Sequence, residues 1–210
     1  MRMSEAQIED FLEKLSSDTP TPGGGGAAGL VAAIGTSLGN MVLSLTTGKK
    51  KYAEYQPEIE TLTIRVTELT KELLSSMDKD AEAFTPLAKA YGLPKDTEEE
   101  IVHRDAVMEE ALTAAAEAPL AMMETIVEAM RLIERVAQIG SRLAISDAGV
   151  GIACCQAALQ GASLNVFINT KMMKNRDRAM TMEEKADGML SEGKILYEKT
   201  YDSVVQAIRR

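Results

Sequence analysis

The sequence predicts an all-α fold: a multi-helix up-and-down bundle of long helices that dimerises through helix packing. Ala, Leu, Met, Glu and Lys dominate the composition, aromatic residues make up only 4% and tryptophan is absent, which is typical of helical proteins. Apolar residues recur at intervals of three and four along most of the chain. Only residues 164–169, LNVFIN, have a strand-like composition. With no internal repeat and no long linker, residues 1–210 are predicted to form a single domain.

Six stretches have helical periodicity: residues 4–16, 27–46, 55–90, 98–117, 119–162 and 181–209. Ser4 and Gln7 are expected to form a capping box for the first helix, and Thr97 is expected to cap the fourth. A segment rich in proline and glycine separates the first two helices. Pro119 and Gly140–Ser141 are candidate breaks in the later ones.

The segment Ser16–Asn40, SSDTPTPGGGGAAGLVAAIGTSLGN, is open to three interpretations: a phosphate-binding loop, a membrane span or a site of close helix packing. Its glycines match the letters G-x-G-x-x-G of a dinucleotide-binding loop. However, no strand precedes them, and lysines follow where a ribose-binding acid is needed. Residues 27–45 are uncharged and about 28 Å long at about 1.5 Å per residue, but polar side chains interrupt them and no second segment is expected to accompany them. The sequence therefore favours a buried central helix.

Glycines four residues apart on this helix, Gly25 with Gly29 and Gly35 with Gly39, mark faces that another backbone can approach closely. A helix that is apolar all round must be covered on all sides. Pairing with a second copy of the chain would supply that cover, so a homodimer is expected.

Charge and cysteine content exclude several classes of function. The net charge of −9 and the pI of about 4.8 argue against nucleic acid and anionic membranes as partners. The N-terminus is charged and amphipathic, unlike a signal peptide, and the adjacent Cys154 and Cys155 cannot join distant segments, so a cytoplasmic location is expected. A single histidine and the lack of a Cys/His cluster indicate no metal site.

Two aspartates interrupt apolar stripes. Asp80 falls in line with a third-helix series: Ile59, Leu62, Val66, Leu69, Leu73, Met77 and Phe84. Asp147 falls in line with a later series: Leu132, Val136, Ile139, Leu143, Val150, Cys154 and Ala158. A carboxylate that faces a core needs a partner, or its pKa rises until it is neutral. The two are interpreted as the acid and base of an active site; the alternatives are partnered structural acids and, for Asp147, a local N-cap.

Two basic clusters stand out in this acidic chain. One is the triple lysine Lys49–Lys51, and the other comprises Lys171, Lys174, Arg176 and Arg178. Either cluster can serve solubility or place charge at a helix C-terminus. The alternative is an anion site, which the free N–H groups of a nearby glycine-rich loop would strengthen.

Four motifs, in the order in which they occur, resemble those of the cyclodeaminase/cyclohydrolase family: DTPTPGGGGAAGLVAAIGTSLGNMV, LTTGKKKY, DKDAEAFTPLAKAYGLPKDTEEE and ISDAGVGIACCQAALQGASLNVFIN. The family comprises the formiminotetrahydrofolate cyclodeaminase domain and bacterial methenyltetrahydrofolate cyclohydrolase. The resemblance implies an all-helical, cytoplasmic homodimer that acts on a one-carbon tetrahydrofolate derivative. The glycine loop and lysine turn that it implies for substrate binding are Pro22, Gly23, Gly24, Gly25, Gly26, Lys49, Lys50, Lys51 and Tyr52. It also assigns substrate binding to Asn165 and Asn169, and catalysis to Asp80 and Asp147.

The implied reaction is hydrolysis of 5,10-methenyltetrahydrofolate to 10-formyltetrahydrofolate, with no metal or redox cofactor. Two alternatives stay open: a cyclodeaminase that releases ammonia from formiminotetrahydrofolate, and a non-catalytic helical bundle that binds folate or serves assembly. Both reactions pass through a tetrahedral carbon beside a cationic amidinium. One carboxylate would therefore hold the cation and take a proton, while a second, neutral acid would protonate the leaving nitrogen. The lysines would bind the anionic tail of the folate, and the glycine loop its flat pterin.

Overall fold

The computed structural model describes residues 2–209 and is an all-α bundle, as predicted. Its α-helices are α1 (Ile8–Leu15), α2 (Gly24–Ser44), α3 (Gln56–Tyr91), α4 (Glu98–Ile139), α5 (Ile145–Thr170) and α6 (Arg176–Arg209). Short 3₁₀ turns lie at Met3–Glu5, Lys50–Tyr55 and Arg142–Ala144. No residue between positions 2 and 209 belongs to a β-strand.

Four long helices lie side by side in the order α3, α2, α5, α6, and α4 packs against all four of them. The core between these helices is built from Leu43, Ile59, Leu73, Leu112, Met123, Ile126, Met130, Ile133, Ile152 and Leu159. Helices α2 and α5 run antiparallel, because Gly24 at the start of α2 faces Asn165 near the end of α5, while Gly35 faces Gly151. Each end of this helix pair therefore combines the start of one helix with the end of the other.

The predicted close approach of a second backbone is confirmed for Gly29 and Gly35 of α2, and that backbone belongs to the same chain. Gly25 and Gly39 instead face the side chains of Asp80 and Ile133. A Cβ on Gly35 would lie 2.6 Å from the Gly151 carbonyl oxygen, and a Cβ on Gly151 would lie 2.7 Å from the Gly35 carbonyl oxygen. Real Cβ atoms do not come this close to backbone oxygens. The α2–α5 contact therefore requires glycine on both sides.

The outer stripes of α2 and α5 form an open apolar surface, referred to below as the outer apolar face: Ile34, Met41, Val150 and Leu164, with exposed fractions between 48% and 67%. Apolar grooves flank it, one of about 380 Å³ between α2 and α3 and one of about 590 Å³ between α5 and α6. By length and composition both α2 and the segment Arg142–Thr170 could cross a membrane, although about half of each is buried within the bundle. The expectation of a single such segment was wrong.

Several predicted boundaries were also wrong. Helix α2 begins at Gly24, so three of the four consecutive glycines lie inside its first turn. Pro119 does not break α4, which runs unbroken for 42 residues. Helix α5 continues past the predicted end at residue 162 and includes the strand-like residues 164–169, because Ala162, Val166 and Asn169 continue its buried face and tertiary packing outweighs strand propensity there.

The helix ends were predicted with mixed success. Thr97 caps α4 as predicted, with its side chain accepting from the Glu100 N–H. The capping box expected at Ser4 and Gln7 is absent, because Ser4 lies in a 3₁₀ turn whose box is formed by Arg2 and Glu5. The last helix begins at residue 176 and not at 181.

Candidate active site

The first turn of α2 is built from glycine. Gly23 is the N-cap, with extended backbone angles φ −126° and ψ −157°, and the first hydrogen bond of the helix joins the Ala27 N–H to the Gly23 carbonyl over 3.0 Å. The N–H groups before Ala27 have no partner within the helix. They point out of the positive end of the helix dipole, and no side chain on Gly24, Gly25 or Gly26 covers them.

Asp80 of α3 closes this turn from one side. Its carboxylate occupies the space into which a Cβ on Gly25 would project. The side chain is half-buried, and within residues 2–209 neither a hydrogen bond nor an ion pair compensates it. Burial raises the pKa of Asp80 above that of an ordinary aspartate, because the charged form is poorly solvated there. The apolar stripe of α3 was thus a sound guide to this residue: Leu69, Leu73 and Met77 are all buried.

Asn165 closes the turn from the α5 side. A Cβ on Gly24 would lie 3.4 Å from the Asn165 amide, and the Asn165 Nδ2 donates to the Gly161 carbonyl over 2.9 Å. The next candidate, Asn169, is buried and its Nδ2 donates to the Ala115 carbonyl at 2.9 Å and to the Asn165 carbonyl at 2.8 Å. Asn169 therefore joins α5 to α4, and its amide hydrogens are already used. We refer to Gly24–Gly26, Asp80 and Asn165 as the glycine–acid cluster.

The predicted lysine turn lies at the other end of α2, where it meets the link between α4 and α5. The Arg142 N–H donates to the Tyr52 Oη over 3.1 Å, and the Lys49 Nζ lies 3.5 Å from the Ser141 Oγ. The hydrogen bond from the Arg142 backbone lowers the pKa of Tyr52, and the Ser141 hydroxyl and the nearby charges of Lys51 and Lys49 act in the same direction. We refer to Lys49–Tyr52, Ser141 and Arg142 as the lysine–link cluster. Sequence reasoning missed Ser141 and Arg142, whose only signal was a Ser-Arg pair after a helix break.

Acidic partners distinguish the two basic clusters of the sequence. Three members of the second cluster form ion pairs: Lys174 with Asp105, Arg176 with Glu183, and Arg178 with Glu117. Within the described residues, the cations of the lysine–link cluster have no carboxylate within ion-pair distance: Lys49, Lys50, Lys51 and Arg142. The lysine–link cluster is therefore the better anion site.

The structure does not bring Asp80 and Asp147 together within one chain. Asp147 lies in the first turn of α5, about 18 residues and therefore about 27 Å along the helix from Asn165. The apolar series that contains Asp147 does not face the core, because two of its members, Leu143 and Val150, are 93% and 53% exposed. Asp147 is half-buried, close in sequence to the lysine–link cluster, and shares its stripe with the outer apolar face.

The model of the Formiminotransferase-cyclodeaminase family matches residues 7–188. The chain belongs to this family. The resemblance drawn from the four sequence motifs is thereby confirmed. Since the match includes all of α2, the lysine turn, α3 and α5, both clusters lie within the family domain.

Relatives within the formiminotransferase-cyclodeaminase family are named either as cyclohydrolases or as cyclodeaminases. A methenyltetrahydrofolate cyclohydrolase from Methylorubrum extorquens is 41% identical over 197 residues, which is 94% of this chain and 95% of that protein. A formimidoyltransferase-cyclodeaminase from Rattus norvegicus is 30% identical over 90% of this chain but only 35% of that protein. Among solved structures, a formiminotetrahydrofolate cyclodeaminase from Thermotoga maritima matches with a TM-score of 0.81 and 28% identity, covering 98% of this chain and 96% of that one.

Potential metal ligands do not cluster in the part of the chain that the structure describes. Between residues 2 and 209, no group of three His, Cys, Asp or Glu side chains is placed to hold a metal ion. Cys155 is buried, which raises the pKa of its thiol to about 12, so this cysteine is a core residue and not a nucleophile.

Proposed function

We propose that this protein hydrolyses 5,10-methenyltetrahydrofolate to 10-formyltetrahydrofolate. The observation that carries the proposal is the uncompensated, half-buried Asp80 carboxyl against the glycine turn of α2. The 41% identity to a methenyltetrahydrofolate cyclohydrolase over nearly the full length of both chains supports this choice of reaction.

The chemistry needs one carboxyl group that changes its protonation state. The substrate carries a cationic amidinium, whose positive charge favours the ionised form of Asp80 when it binds. The carboxylate takes a proton from a water molecule as the water oxygen adds to the methenyl carbon. The resulting neutral acid then donates that proton to N5 as the bond between carbon and N5 breaks. The hydroxyl on the same carbon releases its proton to solvent as the carbonyl forms, which leaves the formyl group on N10. The raised pKa of Asp80 in the free protein suits a group that must act in both forms.

Cyclodeamination is the second candidate, favoured by the similarity to the Thermotoga maritima cyclodeaminase. In that reaction N10 attacks the formimino carbon on N5, the same carboxyl takes the proton from N10, and ammonia leaves with it. Since both reactions share the amidinium and the tetrahedral carbon, the glycine–acid cluster fits either substrate.

The protein is proposed to work as a homodimer, because the glycine–acid and lysine–link clusters lie too far apart within one chain to act on the same substrate molecule. The glycine–acid and lysine–link clusters lie at opposite ends of α2, about 30 Å apart for a helix of about 20 residues. A tetrahydrofolate with one glutamate is too short to touch both. The outer apolar face lies between them, and a second copy packed antiparallel on this face would place its lysine–link cluster beside Asp80 of the first. Asp147 would then reach the site from the partner and complete the predicted acid pair. Asp80 would transfer the protons, and the carboxylate of Asp147 would hold the amidinium cation of the substrate.

The proposed reaction adds water and transfers protons, so it requires neither a metal nor a redox cofactor. The substrate class and the reduced, adjacent cysteines suit the cytoplasm. The proposed substrate is a small anionic molecule, and the acidic chain is not proposed to bind nucleic acid or membranes.

Separate incubation of the purified protein with methenyl- and formiminotetrahydrofolate tests the proposal. Accelerated loss of the methenyl absorbance over the uncatalysed rate is the expected result. If the protein releases ammonia from formiminotetrahydrofolate but does not hydrolyse methenyltetrahydrofolate, its activity is cyclodeamination and the proposed hydrolysis is wrong. Inactivity with both substrates would favour the alternative that the protein is a non-catalytic helical bundle.

A further inference from the structure

We propose that the N-terminal turn, Met3–Glu5, forms a third wall of the active site: the Met3 side chain contacts the ring system of the substrate beside Gly26, and Asp78 of α3 positions it. This inference rests on the proposed function, because it adds two residues to the site of that reaction. Neither residue belongs to the glycine–acid cluster, and the turn lies outside residues 7–188, which the family model matches.

The last glycine of the first turn of α2 is covered by a residue from the start of the chain. Gly26 is buried although it has no side chain. A Cβ on Gly26 would lie 3.6 Å from the Met3 Sδ and 3.5 Å from the Pro22 Cβ, which are ordinary van der Waals distances. Met3 therefore covers Gly26, the residue next to the glycine that the Asp80 carboxylate covers.

Hydrogen bonds hold the N-terminal turn against α3. The Met3 N–H donates to the Asp78 Oδ1 over 2.8 Å in a partly buried contact. The first N–H groups of a helical turn have no acceptor within it, so the carboxylate of Asp78 caps this turn from another helix. The Arg2 N–H and guanidinium both donate to the Glu5 carboxylate and close the turn on itself. Asp78 thus fixes the backbone from which the Met3 side chain reaches Gly26.

The N-terminal turn closes one end of the apolar groove between α2 and α3. Leu30 and Leu74 line that groove. They lie four residues from Gly26 and Asp78, and therefore on the same faces of the two helices. Since the turn contacts both of these faces, Met3 separates the glycine turn of α2 from the open part of the groove.

Methionine is suited to contact a flat ring. Its thioether is polarisable and packs favourably against aromatic rings, and its three rotatable bonds let it adapt to a ligand. The pterin of the proposed substrate supplies such a ring, and the other two walls, Asp80 and Asn165, are polar. Met3 is half-buried, so part of its side chain is packed against the protein and part is open to a ligand.

Variants of Met3 test the wall through KM and kcat for methenyltetrahydrofolate. Met3→Ala should raise KM by about 2- to 10-fold, the range for one sulfur–aromatic contact, with kcat nearly unchanged. Met3→Leu should recover most of this loss, because it restores the volume of the side chain. Met180→Ala is the matched control and should change neither value, since Met180 lies on α6 and is 52% exposed. An unchanged KM in Met3→Ala would overturn the wall.

Variants of Asp78 test the positioning role. Asp78→Ala should raise KM about as much as Met3→Ala, and the double variant should add little, because both changes remove the same contact. Asp78→Asn should stay close to the wild type, because its amide oxygen can still accept the Met3 N–H. Hydrogen exchange of residues 2–6 should become faster in Asp78→Ala but not in Asp78→Asn. A lower melting temperature for Asp78→Ala with KM unchanged would make Asp78 a structural residue only.

Methionine oxidation tests the wall without any turnover. Hydrogen peroxide is added with and without 5-formyltetrahydrofolate, which lacks the amidinium that is hydrolysed, and mass spectrometry follows the sulfoxides. The ligand should slow oxidation of Met3 several-fold and leave that of Met180 unchanged. Protection of Met3 in a protein that does not turn over methenyltetrahydrofolate would refute the proposed reaction and retain the wall. Turnover without protection of Met3 would refute the wall alone, and the absence of both would refute both proposals.

Discussion

The Asp80 carboxylate lies directly against the Cα of Gly25, in the space that the Cβ of any other residue at position 25 would enter. The contact joins α3 to the first turn of α2 and holds a carboxyl group beside N–H groups that have no partner within the helix. Burial opposes ionisation at this point, while the positive end of the helix dipole favours it. Burial raises the pKa of Asp80 above that of an ordinary aspartate.

Gly25→Ala should displace the Asp80 carboxylate and reduce turnover strongly, since even one methyl group has no room there. Gly188→Ala on α6 is the matched control, because a Cβ at position 188 meets no atom within 4 Å and the residue lies outside both clusters. The measurement is kcat/KM with methenyltetrahydrofolate for both variants. Equal activity of the two would show that the position of Asp80 is unimportant.

Asp80→Asn should lower turnover by roughly 10²–10⁴, the usual range for a positioned acid or base. It should also stabilise the fold at neutral pH. The folded-state pKa of Asp80 lies above its unfolded value, so the wild type is most favoured when Asp80 is protonated and loses that stability as pH rises through the folded pKa. Asparagine has no charge to bury, so its advantage in melting temperature should shrink as pH falls through that pKa. A lower melting temperature for Asp80→Asn at pH 7 would instead indicate a structural carboxylate.

The pH dependence of kcat/KM should report the same group in the free protein. Activity needs ionised Asp80 to accept a proton from water, so kcat/KM should fall on the acid side at a higher pH than an ordinary aspartate would give. The acid limb should vanish from the residual activity of Asp80→Asn. An unchanged acid limb in that variant would assign the titration to another residue.

Mixing two inactive variants tests whether the partner supplies Asp147. Asp80→Asn and Asp147→Asn dimers should each be nearly inactive alone. After subunit exchange, half of the dimers are mixed, and each mixed dimer holds one site with both aspartates intact, so about a quarter of the wild-type activity should return for a symmetric dimer. Full activity of Asp147→Asn alone would remove this residue from the mechanism. Failure of the mixture to regain activity, with exchange confirmed by mass, would contradict a shared site.

Gly35→Ala should destabilise the protein by about 1–3 kcal/mol through overpacking, because its Cβ would meet the Gly151 carbonyl oxygen at 2.6 Å and the Cys155 Sγ at 2.8 Å. Gly188→Ala on α6 is the control, since no atom lies within 4 Å of a Cβ there. That change should raise stability by about 0.5–1 kcal/mol through helix propensity. Urea unfolding of both variants gives the comparison.

The sequence predicted Asp80 correctly as a semi-buried acid, but the stripe in which it placed Asp147 is not a core stripe. In α3 only one stripe is apolar, so any residue in line with it faces the core. In α5 the outer stripe is as apolar as the inner one, and periodicity alone cannot distinguish the face that meets the core from the face left open. The pairing of Arg142 with Tyr52 was likewise beyond sequence reasoning, because it joins residues 90 positions apart through the packing of α2 on the link.

The α2–α5 contact at Gly35 and Gly151 also fixes the position of α2 along the bundle. With the two backbones locked together, the distance between the ends of α2 depends on the number of residues in the helix and hardly at all on their identity. Each inserted residue would lengthen the helix by about 1.5 Å and rotate everything beyond it by about 100°. The segment between Gly26 and Lys49 should therefore accept many exchanges of one small apolar residue for another, but not a change in its length.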